Sequence, residues 1–238
     1  MMQHLLELRR RLIWLVGFFL LLFSLFFSFS SPVFHYLVSP LLHFLPVDDG
    51  LIATHVTTSV FIPLTLAADL ALLCSVPVGL FHFWQFAAPG LYRREQQGLG
   101  WTIVLSMLLF CIGVLFGFYG VLPLMMQLFI QAVPTGVRFM PEMTSTVDFI
   151  TRMTLLFGLC FQVPLVCVLL VKMGLADRAM LEKARPYWIV AAFILGMLLT
   201  PPDVLSQVML AVPLCLLYEF GLILVKCLTP RCSDRLTG

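Results

Sequence analysis

Charged side chains are scarce in this sequence: Asp, Glu, Lys and Arg make up 11% of it, whereas ordinary soluble domains carry about 25%. The hydrophobic share is 61% and the mean hydropathy is +1.04. This balance excludes an ordinary soluble domain and predicts a membrane protein with several spans. Six spans of about 20 residues would use roughly half of the chain, which leaves loops but no room for a soluble catalytic module.

Motifs for nucleotide, metal and covalent chemistry are also missing. The sequence has no G-x-x-x-x-G-K-[ST] loop and no recognisable pair of nucleophile and base. None of the seven cysteines lies in a C-x-x-C arrangement, and His35 and His43 have no third metal ligand in register. We therefore expect no cofactor, no metal site, no nucleic-acid partner and no enzyme activity.

Apolar runs separated by polar residues predict an all-α polytopic membrane protein with six transmembrane helices in one integral membrane domain, 1–238. The fifth span is short, about 20 Å at 1.5 Å per residue against a hydrocarbon core of about 30 Å. Only Thr200, Pro201, Pro202 and Asp203 join it to the sixth span, which predicts a tight hairpin. The predicted spans cover residues 12–29, 63–88, 101–130, 149–171, 187–199 and 204–225.

Positive charges are distributed asymmetrically along the chain. Of the 14 Lys and Arg residues, Arg138 and Arg152 alone fall on one predicted side of the membrane. Because cytoplasmic segments are enriched in Lys and Arg, both termini are predicted to be cytoplasmic. The other bases lie at the N-terminus, in alternate loops or in the C-terminal tail: Arg9, Arg10, Arg11, Arg93, Arg94, Lys172, Arg178, Lys183, Arg185, Lys226, Arg231 and Arg235.

Two segments between the spans show helical patterns. In the predicted outer segment, residues 31–62, apolar residues recur at helical spacing from Val33 to Leu45. This predicts short amphipathic helices at the outer membrane interface. The inner segment, residues 176–185, is predicted to be a short polar helix with Asp177 near its N-cap.

Four prolines fall inside the predicted spans: Pro77, Pro123, Pro164 and Pro213. Each removes a backbone hydrogen bond and kinks its helix, so we expect a curved bundle with a concave face. The pair Gly113-x-x-x-Gly117 permits close approach of a neighbouring helix, although this pattern is common.

Polar side chains at membrane depth are costly and usually face the bundle interior or a wet cavity. In this chain they are Asp69, Gln162, Gln207 and Glu219. For Gln162 and Gln207 the alternative to a functional role is interhelical hydrogen bonding, worth about 0.6 kcal/mol on average. For Asp69 the alternative is a carboxyl that is protonated or open to the outer water.

Two acids stand among bases on the predicted cytoplasmic side. Glu7 precedes Arg9 and Arg11, and Glu95 follows a pair of arginines. A carboxylate can accept a guanidinium bidentately, so two such acids could bind an arginine-rich peptide. The alternative is self-pairing, for example of Glu7 with Arg11 at i,i+4, which contributes only about 0.3–0.5 kcal/mol. Spacing alone favours self-pairing.

Five blocks of the sequence are distinctive and are spread over nearly its whole length. They are H-L-L-E-L-R-R-R-L at 4–12, F-A-A-P-G-L-Y at 86–92 followed by Glu95, F-Q-V-P at 161–164, R-P-Y at 185–187 and G-M-L-L-T-P-P-D at 196–203. In this order they resemble the TatC family, the multi-span core of the twin-arginine (Sec-independent) protein translocase. The proline-containing hairpin is the most diagnostic block.

The resemblance implies a receptor for folded proteins whose signal peptides carry paired arginines. It implies that Glu7 and Glu95 contact those arginines, with Arg9, Arg11 and Leu91 shaping the site, which reverses the preference for self-pairing. It also implies a location in the bacterial inner membrane and transport driven by the proton-motive force.

The resemblance further implies single-span partners of the TatA and TatB type, and self-association in a multi-copy complex within the lipid bilayer. Met197, Thr200 and Gln207 match the positions where a partner helix docks. Gln162 stands where the family often has glutamate, and glutamine cannot titrate. Asp69 could supply an ionisable group instead, a hypothesis that unchanged export in Asp69→Asn cells would exclude.

Two further classes of function compete with this interpretation. An ion-coupled carrier of a small solute predicts internal repeats and broken helices in matching halves; the prolines are present, but the sequence shows no repeat. An intramembrane enzyme would need a nucleophile–base pair or metal ligands at depth, and none is visible. The translocase subunit is therefore preferred, with the carrier as the alternative.

Overall fold

The structure is a computed structural model whose described residues are almost entirely helical. About 90% of them are in helices, and their only β pairing is an isolated bridge between Ile52 and Glu142. The all-α class predicted from the sequence is therefore confirmed. The described residues are 2–42, 51–53, 58–87, 99–134, 140–199 and 204–228, with side chains over 9–38, 51–53, 61–85, 100–134, 140–199 and 204–228.

The helices in this part of the chain follow one another with short connections. Their bounds are α1 Met2–Ser28, α2 Ser30–Leu42, α3 Thr58–Ala87, α4 Leu99–Leu115, a π-helical segment Phe116–Val121, α5 Leu122–Gln131, α6 Met143–Cys160, α7 Val163–Lys172, α8 Arg178–Lys183, α9 Arg185–Leu199 and α10 Val204–Leu228.

Five helical stretches within the described residues are long and apolar enough to cross a membrane, which confirms a multi-pass membrane protein. The helix α9 is apolar but has only 15 residues, about 22 Å against a core of about 30 Å. The count of six spans, the span boundaries and the cytoplasmic termini therefore stay predictions. The five stretches are Arg9–Ser28, Phe61–Gln85, Gly100–Gln131, Met143–Lys172 and Val204–Leu228.

A π-helical segment interrupts the stretch that was predicted as the third span. The N–H of Leu122 bonds to the carbonyl of Gly117, five residues back, which is the wider π pattern. Pro123 follows in the first turn of α5, where a missing N–H is tolerated. The wider turn therefore accommodates the proline without ending the apolar stretch.

The stretch predicted as the fourth span is broken next to its proline. The helix α6 ends at Cys160 and α7 begins at Val163, with Phe161 and Gln162 in a turn between them. The N–H of Gln162 bonds to the carbonyl of Leu159 at 3.0 Å, three residues back, so the chain tightens before Pro164. Pro77 and Pro213, by contrast, lie within α3 and α10.

The helix α2 confirms the helical pattern predicted after the first span, and it is packed against other helices of the protein. The N–H of Val33 bonds to the carbonyl of Phe29 at 3.3 Å, so helical hydrogen bonding continues from α1 into α2. Val38 of α2 is 1% exposed. It packs in one buried cluster on residues of the π-helical segment, α5 and α6: Phe118, Leu122, Met126 and Ile150.

The chain forms two compact units. Unit 1 contains residues 1–86 and 114–156, and unit 2 contains 87–113 and 157–238. In unit 2 the short helix α8 has Asp177 as its N-cap, as predicted, although the side chain makes no capping hydrogen bond. Leu181 of α8 is buried against α7 and α10 in a cluster with Cys167, Val168, Tyr218, Leu222 and Val225.

Candidate functional site

Several of the residues predicted to bind a signal peptide or a partner lie outside the described part of the chain. Leu91 and Glu95 fall in residues 88–98, and the side chain of Glu7 is likewise outside it. The same holds for the hairpin residues Thr200, Pro201, Pro202 and Asp203. The roles predicted for all of these residues therefore stay predictions.

The basic residues of the first block occupy the start of α1. Arg9 is exposed, whereas Arg11 is partly buried and donates from Nη1 to the carbonyl oxygen of His82 at 3.2 Å. His82 lies in the last turns of α3, so Arg11 ties the beginning of α1 to the end of α3 within unit 1. Glu7 is one helical turn before Arg11 on the same helix.

Gln162 and Ser106 form a reciprocal pair of hydrogen bonds inside unit 2. The Ser106 hydroxyl donates to Oε1 of Gln162 at 2.7 Å, and Nε2 of Gln162 donates to the Ser106 carbonyl at 2.8 Å. Both side chains are buried. The interhelical hydrogen bonding considered for Gln162 is therefore present: the glutamine joins α4 to the turn between α6 and α7.

A backbone contact at Gly113 brings α4 close to α6. A Cβ atom at this position would lie 2.6 Å from the carbonyl oxygen of Phe157 and 2.9 Å from the Cα of Gly158. Gly113 is seven residues, or two helical turns, after Ser106, so both face the same neighbour. The close approach expected from the glycine pattern is present, and it brings Ser106 within reach of Gln162.

Two of the predicted partner-docking residues are described, Met197 on α9 and Gln207 on α10. Met197 is exposed, and Nε2 of the half-buried Gln207 donates to the carbonyl of Phe193 at 2.9 Å. Gly196 lets the two helices approach there, because an added Cβ would lie 3.2 Å from Cγ of Gln207. Gln207 thus stabilises the hairpin itself, and its amide is only partly available to a partner.

Glu219 of α10 pairs with Arg185, the first residue of α9. Their Nη2 and Oε2 atoms are 3.0 Å apart, and both side chains are nearly half exposed. Trp188 lies one turn after Arg185, stacks on Tyr218 at 5.1 Å and donates to the Leu214 carbonyl. This ion pair was not predicted from the sequence, although both residues stand out there, Arg185 as the base that opens the R-P-Y block and Glu219 as a lone acid in the predicted sixth span.

Asp69 of α3 lies within electrostatic range of an ion pair on α6. Arg152 and Asp148 are one turn apart there, with Nη2 and Oδ2 at 2.6 Å. The Oδ2 atom of Asp69 is buried and has no hydrogen-bond partner among the described residues. These three ionisable groups form a cluster in unit 1 that was not predicted from the sequence, where Asp69 was considered alone.

No cluster of metal ligands is found in the described ranges. No group of three or more His, Cys, Asp or Glu residues there could hold a metal ion. The described cysteines are free thiols, and Cys160 and Cys167 are buried in the helical core.

Comparison with known proteins gives a single family. The family described as Sec-independent protein translocase protein (TatC) matches residues 3–213. The chain is 41% identical over 231 residues to the Sec-independent protein translocase protein TatC of Haemophilus influenzae, covering 97% of this chain and 90% of that protein. It is 38% identical over 221 residues to the protein of the same name from Escherichia coli K12, covering 93% and 86%.

A solved structure of a TatC protein has a similar fold. The crystal structure of the twin arginine translocase receptor TatC is similar with a TM-score of 0.84 and 33% sequence identity. The similarity covers 94% of this chain and 98% of that one.

Proposed function

The chain belongs to the TatC family of Sec-independent translocase subunits, which are not enzymes, and we propose that it is the receptor for twin-arginine signal peptides of folded proteins. The observation that carries this proposal is the family match over residues 3–213, which includes both Glu7 and Glu95. Family membership also removes the ion-coupled carrier as a competing function.

In the proposed site, Glu7 and Glu95 each accept one guanidinium of the arginine pair. A carboxylate matches the planar guanidinium fork, and such charge-assisted bonds are about twice as strong as neutral ones. Arg9, Arg11 and Leu91 shape the site around the acids. The bond from Arg11 to the His82 carbonyl supports a positioning role, because it holds the helical turn that follows Glu7.

We further propose that the chain works in the bacterial inner membrane with six spans and both termini in the cytoplasm, driven by the proton-motive force. Its proposed partners are TatA- and TatB-type single-span subunits and further copies of itself. The asymmetric distribution of Lys and Arg supports this orientation.

Photo-crosslinking tests the receptor function directly. With a photoreactive residue at position 95, we expect a crosslink to a twin-arginine signal peptide and a strong loss when both arginines are lysines. The same probe at Met180, an exposed position on α8, serves as the control and should give no crosslink. Equal crosslinking of both peptides at position 95 would exclude recognition of the arginine pair there.

Gln207→Leu is expected to reduce docking of a single-span partner at the hairpin. The change removes the amide of Gln207 on α10, which lies against Gly196, the residue before the exposed Met197 of α9. A polar group in the partner's span therefore loses its hydrogen-bond partner. Crosslinking from Met197 to the partner measures docking.

Gln127→Leu is the matched control for this variant, since it removes an exposed glutamine of unit 1 that also lies in an apolar helical stretch, Gly100–Gln131. Because Gln207 also bonds within the hairpin, thermal unfolding must show that the variant remains folded. An unchanged crosslink in a folded Gln207→Leu protein would rule out this docking position.

A further inference from the structure

A groove of about 260 Å³ opens between α9 and α10, next to the Arg185–Glu219 ion pair. Apart from that pair, side chains of low polarity line it. One wall comes from α9 and the other from α10. The walls include Trp188, Ile189 and Phe193 on α9 and Val212, Cys215 and Leu216 on α10.

The sequence explains the shape of this groove. Lining residues on each helix recur at intervals of three or four positions, which places them on one helical face. Ile189, Val212 and Leu216 are all exposed at the rim. The groove is therefore open along the hairpin and presents an apolar surface to an outside ligand.

One end of the groove carries an excess of positive charge. Arg185 donates one N–H, from Nη2, to Glu219, while its buried Nε has no hydrogen-bond partner among the described residues. The exposed Lys226 is 4.0 Å from Glu182, which already accepts a hydrogen bond from Arg178. Around this end, the bases Arg178, Arg185 and Lys226 outnumber the acids Glu182 and Glu219 with which they interact.

We propose that this groove binds an anionic phospholipid, with the phosphate at Arg185 and one acyl chain along the apolar walls. A guanidinium binds phosphate through paired N–H groups. Basic pockets between membrane helices bind anionic headgroups, and the apolar walls match a hydrocarbon chain. Free phosphate would leave those walls uncovered, and an apolar partner helix would not use the positive end.

The carboxylate of Glu219 makes it possible to distinguish lipid binding from a purely structural role of the ion pair. This carboxylate competes with a lipid phosphate for the same guanidinium, because both accept from Arg185. Removing the carboxylate should therefore strengthen lipid binding, whereas removing the guanidinium should weaken it. A role of the ion pair limited to holding α9 and α10 together would instead make the two changes act in the same direction.

Native mass spectrometry of the full-length chain in detergent provides the test, with phosphatidylglycerol and phosphatidylcholine as probes. We expect the wild-type chain to retain phosphatidylglycerol preferentially. Arg185→Gln should lower its affinity about fivefold, the effect of one base near an anionic headgroup, and Glu219→Gln should raise it. Lys226→Gln, at a half-exposed position, should give a smaller loss.

Arg152→Gln is the matched control, because Arg152 also pairs with an acid but lies in unit 1. Equal retention of the two lipids, an equal loss in Arg152→Gln, or displacement of the lipid by inorganic phosphate would each overturn the proposal. If Arg185→Gln does not fold, the opposite changes expected for Glu219→Gln and Lys226→Gln still decide it. The test involves no signal peptide and is independent of the proposed receptor function.

Discussion

Replacing Glu95 with glutamine should weaken binding of a twin-arginine signal peptide by about 10- to 100-fold, because a hydrogen bond to a charged group contributes about 1.5–3 kcal/mol. Glutamine keeps the size of the side chain but loses its charge. Glu7→Gln should have a similar effect. A twin-lysine peptide binds more weakly from the outset and should lose less, since an ammonium group cannot form the paired contact. Fluorescence titration of labelled peptides against the purified protein measures both affinities.

Glu182 supplies the matched control for these variants. It is an acid on the same predicted side of the membrane, and the hydrogen bond from Arg178 lowers the pKa of its carboxyl, so it is charged at neutral pH. Glu182→Gln removes one negative charge without touching the proposed site, and binding should be unchanged. If it weakens binding as much as Glu95→Gln, the acids act through bulk charge alone and the specific site is wrong.

Gly113→Ala should destabilise unit 2 by about 1–3 kcal/mol, the usual cost of overpacking a dense interior. The added Cβ would meet the Phe157 carbonyl at 2.6 Å and the Phe161 Cβ at 2.9 Å. Since the first of these atoms is backbone, α4 or α6 has to shift. That shift should also stretch the buried hydrogen bonds between Ser106 and Gln162. Equilibrium unfolding of the purified protein measures the loss, and Gly113→Val should be worse.

Gly17→Ala is the control for the glycine change. Gly17 is exposed on α1 and has no other atom within 4 Å of its added Cβ. Because alanine is a better helix former than glycine by about 1 kcal/mol, this variant should be as stable as the wild type or slightly more stable. Similar destabilisation by both changes would show that the α4–α6 contact at Gly113 is not tight.

Hydropathy predicted the membrane class and the all-α fold well, because both depend on local composition. The backbone conformation next to Pro123 and Pro164 could not be predicted from local composition. Each proline removes one backbone N–H. The helix accommodates this loss with a wider turn before Pro123 and with a break before Pro164, and which of the two forms depends on the neighbouring helices. Val38 shows a related limit: an apolar face looks the same in sequence whether lipid or protein covers it.

The same limit applies to the candidate site, because local sequence does not identify the distant residues that a side chain contacts. From residue spacing alone, self-pairing of Glu7 was preferred over binding of a peptide. Only the motifs shared with the family indicated a signal peptide as the ligand. Gln162 was better defined, since a buried amide must find partners, although nothing local identified Ser106, 56 residues away. The Arg185–Glu219 pair was missed because the short hairpin predicts that α9 and α10 are antiparallel, but not which of their residues lie opposite each other.

The exposed first helix has a consequence for the biogenesis of the protein. None of the most apolar window of α1 is buried against the described part of the chain, so we expect its place in the bilayer to depend mainly on lipid. Helices that are stable in lipid by themselves can insert before they associate. We therefore expect α1 to enter the membrane early during synthesis, with Arg9 and its neighbours retained on the side of the ribosome, before the later helices have left the ribosomal tunnel.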